Sequence, residues 1–150
     1  MKMKSISLIA FTTLTILASF TFSDASTEKK LNEIAVNATL GNGSADVKTF
    51  NVKTVDFAAE LKRDLAWVKK EFPKCGPFKV TDYRRDTIAA MLKFTDDQET
   101  AKALTELYND KKLKASYSIL TNNDIDCSRM WVQVFTNDGY LLELYYGLND

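Results

Sequence analysis

Between Val55 and Phe72 the apolar residues Ala58, Leu61, Leu65, Val68 and Phe72 recur at steps of three and four. That spacing puts them on one stripe and predicts an amphipathic helix. Thr54 can cap its start, and Pro73 stops it within a residue or two. Lys69 and Lys70 fall in its last turn, where the negative end of the helix dipole accounts for them without a basic binding patch. A second helix is predicted from Asp96 to Lys111, because Thr95 and Gln98 have capping-box spacing and Asp96, Asp97 and Glu99 load the first turn with negative charge. Its inner stripe is Ala101, Leu104 and Tyr108, with Leu107 beside them.

The remaining patterned segments alternate with period two. Phe78 to Tyr83 and Thr87 to Phe94 read as two strands joined through Arg84-Arg85-Asp86, and Ala115 to Thr121, Met130 to Thr136 and Tyr140 to Tyr146 as three more. Asn137-Asp138-Gly139 is a hairpin turn between the last two. The order α-β-β-α-β-β-β predicts an α+β domain over residues 54–150, with two helices on one face of a mainly antiparallel sheet. Residues 26–53 are polar and weakly patterned, and two readings stand. The segment is either a lead-in or a loose hairpin of Ile34 to Thr39 against Val47 to Val52, turning at Gly41-Asn42-Gly43-Ser44.

Lys2 and Lys4, the apolar stretch Ile6 to Phe22 and the small residues Ser23-Asp24-Ala25 form a secretory-signal pattern cut after Ala25. Ser and Thr dilute the stretch too heavily for a good membrane anchor, and no cysteine follows it to carry a lipid. The expected location is secreted or periplasmic. Export makes Cys75 and Cys127, the only two cysteines, disulfide partners. Asn37-Ala38-Thr39 and Asn42-Gly43-Ser44 are glycosylation sequons if the source is eukaryotic.

Charge and composition then narrow the chemistry. The 150 residues carry 20 basic and 20 acidic side chains. Without Lys2, Lys4 and Asp24 the exported chain has 18 basic against 19 acidic, a net charge of −1. No overall positive field attracts nucleic acid. The chain has no histidine, which excludes Ser-His-Asp and Cys-His nucleophile systems and imidazole zinc sites. Asn122-Asn123-Asp124-Ile125-Asp126 begins like a calcium loop, but Cys127 and Gln133 stand where such a loop needs glycine and glutamate. Asp96-Asp97 reads as helix capping, not as a catalytic pair. Neither a metal nor another cofactor is expected.

The last two strands carry the unusual feature. With Met130, Val132, Val134, Leu142, Leu144 and Tyr146 facing the helices, an outer face of Trp131, Phe135, Leu141 and Tyr145 is more apolar than a solvated sheet requires. Either the N-terminal segment or a crossing strand covers it, or it binds another exported protein or a second copy of this chain. Trp131 and Tyr145 should lie side by side as anchors, and Arg84 and Arg85 offer guanidinium forks to an acidic partner. The expected function is a non-enzymatic binding protein of the inhibitor or immunity type, a class whose small α+β domains this element order is similar to. The alternatives are a hydrolase using Asp82, Asp86 or Glu143, and a carrier of a small apolar ligand between sheet and helices.

Overall fold

The structure, a computed structural model, describes residues 27–40, 43–82 and 84–147, with Arg84 and Arg85 described in their backbone alone. The signal pattern and its cut after Ala25 lie outside these residues, as does the sequon asparagine Asn42. In chain order the elements are α1 (27–40), β1 (Gly43–Thr49), α2 (Phe57–Glu71), β2 (Lys79–Thr81), α3 (Arg84–Thr95), α4 (Gln98–Asn109), β3 (Leu113–Leu120), β4 (Arg129–Thr136) and β5 (Tyr140–Gly147). The strands form one antiparallel sheet in the order β1-β5-β4-β3-β2. This is an α+β fold of four helices and five strands among the described residues.

One face of the sheet buries the larger core. Leu31, Ile34 and Ala38 of α1, Ile88 and Met91 of α3, and Ala101, Leu104 and Leu107 of α4 pack on Met130, Val132, Val134, Leu142, Leu144 and Tyr146. The six inward strand residues are those the alternation assigns to this face, and each is at most 3% exposed. Full removal of such side chains from water is worth roughly 1.5–3 kcal/mol apiece.

Three expectations are corrected. Residues 27–40 are a helix, so the hairpin of Ile34 to Thr39 does not form. Instead Val47 belongs to β1, which pairs with β5 from Gly43↔Tyr146 to Thr49↔Tyr140. Gly43 is required there, since a Cβ would stand 2.8 Å from the Tyr146 ring and 3.0 Å from the Ala38 carbonyl. Thr87 to Phe94 is helical. Thr87, Ile88 and Met91 are buried while Ala89 and Lys93 are exposed, a helical spacing. An alternation in so short an apolar run does not exclude a helix, and the segment holds the helix formers Ala89, Ala90, Met91 and Leu92. Arg84 and Arg85 therefore open α3 and do not form a turn between strands.

The third correction concerns α2, which lies on the opposite face from the other helices. After β1, the Phe50 amide donates to the Gly139 carbonyl at 2.9 Å, tying the chain to the β4–β5 turn. From there α2 runs under the outer face, capped by Asp56, whose side chain accepts from the Ala59 amide at 3.1 Å. Phe72, one residue before Pro73, is its C-cap, the amide donating to the Val68 carbonyl. The helices thus cover both faces, and the outer face is partly a second core.

Cys75, three residues beyond Phe72, is bonded to Cys127 in the loop before β4. The Asn122 amide donates to the Cys75 carbonyl and its side-chain amide to the Gly76 carbonyl, at 2.9 and 2.8 Å. These bonds fix the chain just after α2 against the connection between β3 and β4.

Candidate functional site

Strand register lays two rows of side chains across the outer face. Ser44, Tyr145, Trp131 and Ile119 are paired in one row, and Asp46, Glu143, Gln133 and Tyr117 in the next. Helix α2 crosses the β3 end of these rows and leaves the β1 end open. Its Asp64, Trp67 and Val68, spaced i, i+3 and i+4 on one helical face, form a wall. Between wall and rows is a cleft of about 330 Å³.

The aromatic row holds its own shape. The rings of Trp131 and Tyr145 lie 5.4 Å apart, and Trp131 also meets Trp67 edge-on at 6.1 Å and Phe72 at 5.5 Å. Phe72 carries the Arg129 guanidinium 4.8 Å from its ring centre. Trp67 is 50% exposed, so one large ring of the cluster stands at the rim in water.

The polar row is charged. Tyr117 donates to Asp64 Oδ2 at 2.5 Å, and Arg63 stands 3.5 Å from Asp64 Oδ1. Burial, reinforced by the Asp64 carboxylate, pushes the Tyr117 hydroxyl well above the ordinary tyrosine range. Lys48, at the open edge, donates to Glu143 Oε2 at 2.6 Å and lies 3.6 Å from Asp46 Oδ2. Its hydrogen bond to Glu143 raises the ammonium above its usual range. Gln133 Oε1 is buried and meets no hydrogen-bond donor among the described residues.

Trp131 and Tyr145 are register partners on one face, in ring contact, as the alternation requires. Leu141 is on that face as well, paired with Lys48 and Phe135 and half-buried. Phe135 does not belong to an open surface: it is 2% exposed, with Phe57 at 4.9 Å, Phe50 at 5.2 Å and Tyr117 at 5.9 Å. It is the centre of the second core, because α2 covers the sheet where Phe135 pairs with Ala115 in the row next to that of Tyr117. The side chains of Arg84 and Arg85 lie outside the description, and their backbone opens α3, which packs into the opposite core.

Of the acids named for hydrolysis, only Glu143 lines the cleft; Asp82 borders a separate groove along the Phe57–Leu65 flank of α2. Trp67, Asp64 and Asp46 were not singled out by the sequence. For Trp67 a signal existed, since a tryptophan next to the apolar stripe of an otherwise charged helix asks for a partner. Asp64 and Asp46 gave none, because their role depends on strand register and on which face α2 covers.

No known protein family, curated protein or solved structure matches this chain. The site's chemistry therefore rests on its own geometry.

Proposed function

We propose that this chain is a small exported binding protein without enzymatic activity, which neutralises another secreted or periplasmic protein by engaging it through the cleft and its aromatic rim. The observation that carries this reading is the exposed Trp67 standing over the Trp131–Tyr145 pair beside an open cleft. Tryptophan and tyrosine held at a rim by ring contacts are the side chains that most often dominate protein interfaces. The disulfide accords with an oxidising compartment. Among the described residues no helix is long and apolar enough to cross a membrane. The cleft's carboxylates make it a poor fit for the apolar ligand of a carrier.

The test is affinity capture from the exported fraction of the source cells with the wild-type protein and a Trp67→Ala/Tyr145→Ala variant. The expected result is a protein retained by the wild type and bound at least about 30-fold more weakly by the variant, the loss typical of removing a hot spot. Identical captures, or none, overturn the reading.

One observation favours a hydrolase as the second reading: Asp46, Asp64 and Glu143 meet at one cleft. Each is already engaged by Lys48, Arg63 or Tyr117. Turnover of a glycoside or ester substrate that is abolished by Glu143→Gln would establish this reading in place of the first.

A further inference from the structure

The chemistry of the cleft narrows what its partner must present. Every charged side chain on its lining is a carboxylate: Asp46, Asp64 and Glu143. Two cations stand against these three acids, Lys48 within 3.6 Å of Asp46 and 2.6 Å of Glu143, and Arg63 3.5 Å from Asp64. Arg63 is shared with the Glu60 carboxylate, so four negative charges stand against two positive ones and an excess of negative charge remains. Gln133, between Glu143 and Tyr117 in the polar row, lines the same floor. The neighbouring row is aromatic, and this ring cluster already carries one guanidinium, that of Arg129 on Phe72. The rings of Trp67, Trp131 and Tyr145 line the cleft and offer the same electrostatic attraction to a second.

We propose that the cleft is a receptor for a single cationic group of guanidinium or alkylammonium chemistry, such as an arginine side chain of the protein partner presents. The group lies against the rings of Trp67, Trp131 and Tyr145 where they line the cleft, and offsets the excess negative charge of Asp46, Asp64 and Glu143. This rests on the cleft being the partner-binding site and adds the chemistry of the contact.

The experiment is a titration of the full exported chain with acetyl-arginine methylamide and, in parallel, with its neutral isostere acetyl-citrulline methylamide. It is followed by the indole signals of Trp67 and Trp131 and the side-chain amide of Gln133 in NMR spectra. The arginine derivative is expected to shift all three saturably and the citrulline derivative to leave them in place. Asp46→Asn should weaken the arginine derivative about two- to fivefold, the scale of one exposed charge, and Lys48→Ala should tighten it by a similar factor. Equal shifts from both derivatives overturn the cationic specificity, as does weaker binding after Lys48→Ala. Shifts that depend on protein concentration alone place a second copy in the cleft and also overturn it. If neither derivative binds, yet capture of a protein partner still depends on Trp67 and Tyr145, the cationic inference falls and the binding reading stands. If the arginine derivative binds as described and capture is unchanged in the Trp67→Ala/Tyr145→Ala variant, the cation site stands and the neutralising role falls.

Discussion

At the scale of single residues, two aromatics in one sheet face have opposite roles. Phe135 is enclosed by Phe50, Phe57 and Tyr117, whereas Tyr145 is partly open and meets Trp131. Phe135→Ala should cost about 3–5 kcal/mol through the cavity it leaves. Tyr145→Ala should cost about 1 kcal/mol or less, and urea unfolding of the two variants measures the difference. Two buried tyrosines set an alkaline limit. Burial first, and then Asp64 beside Tyr117 and Asp97 beside Tyr146, hold both hydroxyls well above the ordinary value of 10.0. In the unfolded chain both ionise near that value, so above pH 10 the unfolded state binds fewer protons than the folded one. The stability they confer is complete below pH 10 and declines as pH rises beyond it. Unfolding midpoints at rising pH should fall less steeply above pH 10 in Tyr117→Phe/Tyr146→Phe than in the wild type.

At the scale of elements, the helix starts differ from their sequence signals by small shifts with clear causes. Because α3 runs through Thr95, that residue cannot cap the next helix; its hydroxyl donates to the Met91 carbonyl and accepts from the Asp97 amide. Asp96 turns the chain at φ 54°, a left-handed conformation that aspartate tolerates better than most residues. Asp97 then caps α4, accepting from the Thr100 amide at 3.1 Å, and also accepts from the Tyr146 hydroxyl at 3.0 Å. Asp56 caps α2 without such a second side-chain bond among the described residues. Asp56→Ala should therefore cost about 1 kcal/mol. Asp97→Ala should cost more, about 2–3 kcal/mol, since a buried tyrosine hydroxyl loses its acceptor as well. Thermal or urea denaturation of the two variants compares them directly.

For the whole molecule, the disulfide joins the outer helix to the sheet across 52 residues. Opening a loop of that length by Cys75→Ser/Cys127→Ser should cost about 4 kcal/mol on the chain-entropy account. The loss should be uneven, because α1, α3 and α4 keep their own core on the inner face while α2 loses its tether beside Phe72. Hydrogen exchange is expected to show α2 opening more readily than the β4–β5 pair in the double variant. Equal loss of protection in both would mean that the two faces unfold as one unit.

Local chemistry alone determined much of this protein. The helix α2 with Pro73 behind it, the α4 stripe, the Asn137-Asp138-Gly139 turn, the inward set of β4 and β5 and the pairing of Cys75 with Cys127 were all legible in the chain. Each is governed by neighbours in sequence or, for the cysteines, by the absence of any other partner. Tertiary structure decided what depends on distant surfaces. Alternation shows that Trp131 and Phe135 share a face, but not that Phe135 would be enclosed while Trp131 meets an exposed Trp67 beside an open cleft. The run from Thr87 to Phe94 satisfies both periods, and it became a helix where a wide inner face needed cover. Asp46, Gln133 and Glu143 form one row only once β1 has joined the edge of the sheet. Pairing between strands almost a hundred residues apart is set by burial summed over the whole core, and no local signal encodes that sum.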